Sequence, residues 1–503
     1  MTDETSIDLL AIAVFAWAPH LETTCEVCLR EAAAGKRVAF AFLEVNNYDE
    51  FLDPAFIRWS NLSSWIYRIL HRTRLKKVRM IQSLLSSHGV KVLTPGITSS
   101  DVRGLDCTSA GIRSIEDLRR FRIEGASLGV GVLSSLIFHC EDSQPDLRVC
   151  QRLADRLLSS AYHSFSLATD LIQRHRPNQI LVFNGRFACS KGIEQAGLLN
   201  KVNVLYHEAG ATCDRYYLSP HRPHNIPRWR EMIVDDWARG GSDRTAIAEQ
   251  YFKPARGGTQ LLETILCRNV QKRGLSLPPF EGRRIVYFAS SMHEEVAVED
   301  DTAEALFSSQ HDAVVWLTTW AKSTPETELV IRLHPRMVGL SRRERTWWES
   351  FASESVTVVS ADNPIDSYSL ASSADRVVCY KSSMGPESTY LGKVAIAVGD
   401  ALYVGLDCVY EPKTIAELED MLLDPHLAPK PAQNCLPHGY SRQTFGTPFQ
   451  IYKPTMFKKG SFYGQQVPTY PSILSRGFAK VLSLLHFFLP SWVILDESDR
   501  YHE

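Results

Sequence analysis

The stretch "IDLLAIAVFAWAPHLETTCEVCLREAAAGKRVAFAFLEV", residues 7–45, decides the fold. Leu9–Phe15 is a continuous apolar run, as expected of a strand buried on both faces. Glu22–Ala34 has helical character, and Gly35 is its natural stop. Arg37–Val45 then reads as the next strand. Strand, helix, strand is a βαβ unit, and a series of such units builds a parallel, doubly wound α/β sheet.

The same pattern continues outward. "GVKVL" (89–93), "NQILVFNG" (178–185) and "KVNVLYHEAG" (201–210) read as further strands of a first sheet, with a long helix over roughly 146–175. "SPHRPHNIPRWRE" (219–231) is rich in Pro and His and reads as a loop, and "LSLPPFEGRR" (275–284) as a linker. A second series follows: "IVYFAS" (285–290), "ELVIRLHP" (328–335), "VTVVS" (356–360), "RVVCY" (376–380) and "VAIAVG" (394–399). Two Rossmann-like domains are expected, at 1–275 and 284–430, with a C-terminal tail over 431–503. A chain of 503 residues is long enough for more than one core.

Composition narrows the function classes. Hydrophobic residues make up 44% and charged residues 22%, which is ordinary globular material. A net charge of −2 gives no global attraction to nucleic acid. The 11 cysteines are scattered, which suits a reducing cytoplasm. The close pair Cys25 and Cys28 lies on a helical stretch and has no second pair at zinc-ribbon spacing, so buried thiols are expected there rather than a metal site. The N-terminus opens with acids, and its apolar run is too short to span a bilayer. Neither a signal peptide nor a membrane anchor is expected.

Ligands of open α/β sheets bind beyond the carboxyl ends of strands, so chemistry is sought just after each one. After one strand comes "HPR": His334 with Arg332 and Arg336 about it suits a phosphate or carboxylate, or makes a plain turn with solvated arginines. After another comes "KSSMGPES" (381–388). Ser382 and Ser383 lie at a strand-to-helix turn that would hold an anion, Pro386 fits the first helical turn, and Glu387 would accept hydrogen bonds from sugar hydroxyls. A helix cap uses the same residues. A nucleophilic serine is disfavoured at this turn, because neither Ser382 nor Ser383 sits in a G-x-S-x-G frame.

Paired His-Pro and Ser-Ser motifs ending two strands of one sheet resemble the nucleotide-sugar-binding domain of GT-B glycosyltransferases. The likeness is strongest to bacterial capsule and lipopolysaccharide enzymes that use CMP-activated acidic sugars. It covers roughly 285–410 and extends loosely through "WAPHLETTCE" (17–26), "VFNGR" (182–186) and "HEAGA" (207–211). The resemblance implies a GT-B fold, with two Rossmann-like domains facing a cleft and an acceptor-side N-terminal domain. It also implies that His334, Ser382 and Ser383 contact phosphate or nucleotide and Glu387 the ribose. Related sialyltransferases carry an acidic-acidic-glycine base motif that this chain lacks; "HEAG" is the nearest match.

Inverting transfer needs a base near the acceptor hydroxyl. The candidates are Glu208, Glu22 and His20, with Asn184, Arg186 and His207 beside them as binding groups and Arg215 just beyond. Arg186 would hold an acidic acceptor or the leaving phosphate. The expected activity is transfer of a sugar, Kdo or another acidic one, from a CMP-linked donor to a glycan or lipid-linked acceptor. No metal and no cofactor are expected. The rival readings are a CDP-polyol phosphotransferase of the teichoic-acid type, a nucleotide-sugar epimerase, and a non-catalytic glycan-binding scaffold.

The expected setting is the cytoplasm, with peripheral contact to the inner membrane. Two segments bear on that contact: "HRTRLKKVR" (71–79), with five basic residues in nine, reads as a solvated helix face or a membrane- or glycan-facing one, and the apolar tail 475–495 with Arg476 and Lys480 as a helix packing back on the first domain or one lying in the membrane interface. The Gly-rich "EGASLGVGVLSSL" (124–136) lacks dinucleotide spacing and reads as a turn before a helix.

Overall fold

The computed structural model describes residues 7–45, 64–253, 271–291, 305–456 and 459–470. The chain divides into two compact units: 1–223 with 296–299 and 446–503, and 224–295 with 300–445.

The first unit is built on β1 (Leu9–Ala13), β2 (Val38–Phe42), β3 (Lys91–Leu93), β6 (Gln179–Phe183), β7 (Asn203–Ala209) and β8 (Arg215–Ser219). A short hairpin, β4 (Arg122–Ile123) with β5 (Ala126–Ser127), stands apart from them. The sheet order is β3-β2-β1-β6-β7-β8, closed at the edge by Thr447–Pro448. Pairing is parallel from β3 to β7 and antiparallel for β8 and the edge. All five residues of β1 are buried, as are all five of β2, which is why both read as unbroken apolar runs. The order reverses between β1 and β6, so the loops after those strands flank the switch point of this sheet.

Much of the charge of this unit points inward. Lys77, on the helix Ser64–Ser87, forms an ion pair of 2.6 Å with Glu22, both side chains being almost wholly buried. Arg74 donates to the Val14 carbonyl at 3.2 Å and lies over the Phe42 ring. The basic stretch 71–79 is therefore not one solvated or membrane-facing surface: Lys76 and Arg79 are exposed, Arg74 and Lys77 internal. The glycines of 124–136 also serve packing. A Cβ on Gly129 would lie 1.6 Å from the Leu118 carbonyl oxygen, and one on Gly131 would lie 2.5 Å from Lys191 Cβ. Cys25 and Cys28 are buried, and burial pushes both thiols up.

The second unit repeats the plan. Its strands are β9 (Arg283–Phe288), β10 (Thr327–Arg332), β11 (Val356–Val359), β12 (Arg376–Cys379) and β13 (Val394–Ala397), in the order β11-β10-β9-β12-β13. Every pairing is parallel. Two Rossmann-like units are thus present, as the GT-B resemblance implies.

The domain boundaries differ from expectation. The helices Ile226–Arg239 and Arg244–Phe252 belong to the second unit, although they precede the supposed linker. Residues 271–277 are themselves part of that unit: Lys272 bridges to Ile365, and Asp366 N donates to the Leu275 carbonyl at 2.9 Å. The helix Leu436–Thr444 also stays with the second unit, and the chain rejoins the first only at Gly446. Gly446 has φ +92°, and a Cβ there would lie 2.8 Å from the Tyr216 carbonyl oxygen. Proline richness at 275–284 marked an irregular segment, not a boundary. Part of 219–231 is helical, because Asn225 Oδ1 caps the helix from Ile226 by accepting from Arg228 N at 2.9 Å.

Candidate functional site

The order of the second sheet reverses between β9 and β12. Strand β9 ends in Phe288-Ala-Ser-Ser291, and β12 runs into Tyr380-Lys-Ser-Ser383. The two loops are joined where Lys381 N donates to Ser290 Oγ at 3.0 Å. Beside them, at the end of β10, stands His334. A pocket of about 320 Å³ opens over these three strand ends. Its lining includes Ser290, Ser291, His334, Arg336, Lys381, Ser382, Ser383, Glu387 and Arg442. Lys381, Arg336 and Arg442 are cationic, and Glu387 is the facing carboxylate. That balance suits an anionic ligand with hydroxyls.

Pro335 opens a 3-10 helix, Pro335–Gly339, and directs the chain away from the sheet. His334 Nδ1 accepts a hydrogen bond from Arg336 N at 3.1 Å. In the neutral ring this places the proton on Nε2, which makes that atom a donor. Arg332 is different. It is 1% exposed, and its guanidinium donates to the carbonyls of Ser360, Asn363 (3.1 Å) and Ile365 (3.3 Å). Although Arg332 belongs to the pocket wall, this side chain fastens the loop after β11. The expected ligand role for it is corrected to a structural one.

Ser382 and Ser383 have separate jobs. Ser382 is buried; its Oγ accepts from Met384 N at 3.4 Å and its carbonyl from the Tyr403 hydroxyl at 2.7 Å. Ser383 is exposed toward the pocket and makes no capping hydrogen bond. The helix it precedes, Met384–Tyr390, has seven residues. The N–H groups of Met384, Gly385 and Glu387 all bond within the turn. The expected anion cradle of helix N–H groups is therefore not what this turn offers; side-chain donors replace it.

Glu387 is 7% exposed. Tyr251 donates to its Oε1 at 3.1 Å and Tyr368 to its Oε2 at 2.6 Å. Burial pushes its carboxyl above the ordinary range, against the hydroxyls of Tyr368, Ser383 and Tyr251, which favour the anion. The three hydroxyls leave one of the four lone-pair sites of the carboxylate for a ligand.

The first unit has its own cluster of strand-end groups. Glu208, near the end of β7, accepts from Asn184 Nδ2, at the end of β6, and from Ala209 N at 2.9 Å. His20, which opens the helix His20–Ala33 after β1, has Nδ1 3.8 Å from Glu208 Oε1 and its ring tilted by 37° against Phe183, with centroids 3.9 Å apart. Asn184 adopts φ +59° and is followed by Gly185 at φ +72°, so "FNG" makes a tight turn. Beneath it, Glu194 gathers Lys191, Arg222 and the Tyr206 hydroxyl (2.8 Å).

Three expected members of this cluster are corrected. Glu22 is ion-paired with Lys77 in the interior, as above, and is no base. His207 is 1% exposed, with Nε2 3.0 Å from Thr24 Oγ1, and burial holds its imidazole down at about 3; it supports the cluster from behind. Arg186 is 9% exposed, donates from Nε to Ser134 Oγ at 2.7 Å and lies over Phe187. Arg215, just beyond, donates to the Gly446 carbonyl at 2.8 Å.

Several pocket residues escaped the sequence. Ser290 and Ser291 obey the rule that was applied elsewhere, standing just after a strand. Lys381 adjoins Ser382 and Ser383 in the same turn. Tyr251, His438 and Arg442 come from helices without any motif, and only the fold brings them to the pocket. Among the described residues no cluster has the makings of a metal site, and no helix is long and apolar enough to cross a membrane. The tail 475–495 lies outside the described residues.

The chain is similar to several solved structures. It has 14% identity to Thermosulfurimonas dismutans KpsC, beta Kdo 2,4 transferase, covering 53% of this chain and 79% of that one at a TM-score of 0.33. For the beta Kdo 2,7 transferase of the same organism the figures are 16%, 64% and 90%, at 0.32. For a putative UDP-N-acetylglucosamine 2-epimerase from Listeria monocytogenes they are 13%, 86% and 94%, at 0.26. At these TM-scores the likenesses carry no weight in assigning function. No curated protein matches the chain. The segment that supplies β9 to β13, and with them the His-Pro and Ser-Ser turns, is another matter: residues 283–412 match the family of capsule polysaccharide biosynthesis proteins.

Proposed function

We propose that the chain is a glycosyltransferase of bacterial surface polysaccharide assembly. It moves an acidic sugar of the Kdo type from a CMP-linked donor to a glycan or lipid-linked acceptor. The observation that carries this reading is the cation-lined pocket with a single facing carboxylate at the switch point of the second unit. The family match over 283–412 supports it, because that segment contributes most of the lining.

In this reading the donor phosphate lies against Lys381, the Nε2–H of His334 and the Ser383 hydroxyl, with Arg336 nearby. These groups stabilise the charge that grows on the leaving phosphate as the glycosidic bond breaks. Glu387 accepts from the ribose hydroxyls. The acceptor hydroxyl loses its proton to the pair formed by His20 and Glu208. His20 takes the proton, and Glu208, 3.8 Å from Nδ1, stabilises the imidazolium. The setting is the cytoplasmic face of the inner membrane, where lipid-linked acceptors are presented.

Incubation with CMP-Kdo, CDP-glycerol and UDP-N-acetylglucosamine, each with a glycan acceptor, tests this. Acceptor-dependent release of CMP is the expected result. Polyol phosphate transfer from CDP-glycerol, or epimerisation of the UDP-sugar, replaces the donor assignment. Absence of both turnover and nucleotide binding leaves a glycan-binding scaffold.

A further inference from the structure

One pocket residue has no task in that scheme. His438 lies on the helix Leu436–Thr444, is 3% exposed, and lines the pocket. Neither of its ring nitrogens has a hydrogen-bond partner among the described residues. A buried imidazole without partners gives up hydrogen bonds that water would supply, so its position calls for a ligand that restores them.

The placement is built into the packing. Gly439, the next residue, meets the helix Arg244–Phe252 so closely that a Cβ would lie 2.5 Å from the Phe252 ring and 2.8 Å from the Ala248 carbonyl oxygen. This close approach brings His438 against Tyr251, with ring centroids 5.6 Å apart and planes at 83°. Tyr403 packs edge-on from another side, at 5.7 Å and 86°. Tyr251 is the hydroxyl that donates to Glu387, and Tyr403 the one that holds the Ser382 carbonyl. His438 is thus seated between the carboxylate and the serine turn.

We propose that His438 is a ligand-binding residue that hydrogen-bonds a ribose hydroxyl of the nucleotide and, together with Glu387, makes the pocket selective for ribonucleotides. This rests on the donor reading above. The chemistry follows from the ring. A neutral imidazole offers one N–H donor and one acceptor, and a hydroxyl both gives and takes a hydrogen bond. Glu387 accepts only, so a diol bound to it alone would lack a donor to its own oxygens. A nucleobase would require a flat slot, whereas the two tyrosine rings stand nearly perpendicular to His438. Burial keeps the imidazole neutral down to about pH 3, so the same donor and acceptor pattern is present throughout the working range.

The test is calorimetric titration of CMP, 2′-deoxy-CMP and 3′-deoxy-CMP into the wild type, His438→Phe and His438→Gln, with thermal melts of each protein. Phe fills the volume without hydrogen bonds; Gln restores one donor and one acceptor. The wild type is expected to prefer CMP over at least one deoxy analogue by about tenfold. H438F weakens CMP by that factor and leaves the analogue unchanged, so the preference collapses to near one. H438Q recovers part of it. If H438F melts like the wild type and retains the full preference, the assignment is overturned. Equal binding of all three nucleotides by the wild type overturns the role of His438 and leaves the donor site standing. Binding of no ribonucleotide at all overturns the donor reading and the inference together.

Discussion

The two units share one strand order and use their charges in opposite ways. In the second, Lys381, Arg336 and Arg442 line an open pocket of about 320 Å³. In the first, the cavity near the switch point is only about 10 Å³, and most charged groups around it are turned inward and satisfied. Glu22 pairs with Lys77, and Glu194 with Lys191 and Arg222. Glu26 accepts from the backbone N–H groups of Gln450, Ile451 and Tyr452. Buried and paired charges hold a scaffold in register, while charges at a pocket wall remain able to meet a ligand. Among the described residues of the first unit, His20 and Glu208 are partly exposed strand-end groups that also face each other, at 3.8 Å.

That contrast is sharpened first at those two residues. His20→Asn is expected to lower acceptor-dependent transfer by about 10²–10⁴-fold in initial-rate assays, with donor binding unchanged. Glu208→Gln is expected to cost less in the same assay, because it removes the charge beside the imidazole and leaves the ring itself in place. Equal and full activity of both variants would remove the first unit from the chemistry.

The opposite result is expected at Glu22 and Lys77. Lys77→Met leaves a buried carboxylate alone and should cost about 3–5 kcal/mol in urea unfolding. The double variant Glu22→Leu with Lys77→Met should recover most of that. If K77M lost transfer while keeping its stability, Glu22 would have to be returned to the list of catalytic groups. Next in size is Lys381→Met in the second unit, expected to reduce turnover by about 10²-fold, or about 2.7 kcal/mol, with little change in melting. A stability loss there without a rate loss would place Lys381 with the inward charges of the first unit.

Strand positions were legible because buried parallel strands write themselves as apolar runs, and β9 to β13 lie within or beside the segments expected. The strand-end rule also leads to His334, Ser383 and Glu387, which line the pocket. What one sequence could not reveal was direction. Glu22 and His20 are two residues apart on one helix, yet Glu22 faces Lys77 and His20 faces Glu208. Arg332 and Arg336 flank the same histidine, yet one fastens three carbonyls. Partners from 28 to 188 residues away decide such cases. Residues 224–252 and 436–444 carry no motif and were assigned to the wrong domain, because their packing against the second unit is specified by shape, as at Gly439.

The smallest of these effects distinguishes inward groups by pH. His139, on the helix Gly129–Cys140, is 2% exposed, and burial holds its imidazole down at about 4. The unfolded chain binds that proton with an ordinary pKa near 6.5. The unfolded state therefore carries more protons between those values, and stability is full above pH 6.5 and declines as pH falls toward 4. From pH 7 to pH 5 one such histidine should cost about 2 kcal/mol. His139→Leu removes the titration and keeps an apolar side chain in place. Urea unfolding at both pH values should show the variant losing about 2 kcal/mol less than the wild type. Equal losses would mean that the His139 site admits the charged ring, and the interior of the first unit would then be less strictly closed to unpaired charge than its ion pairs imply.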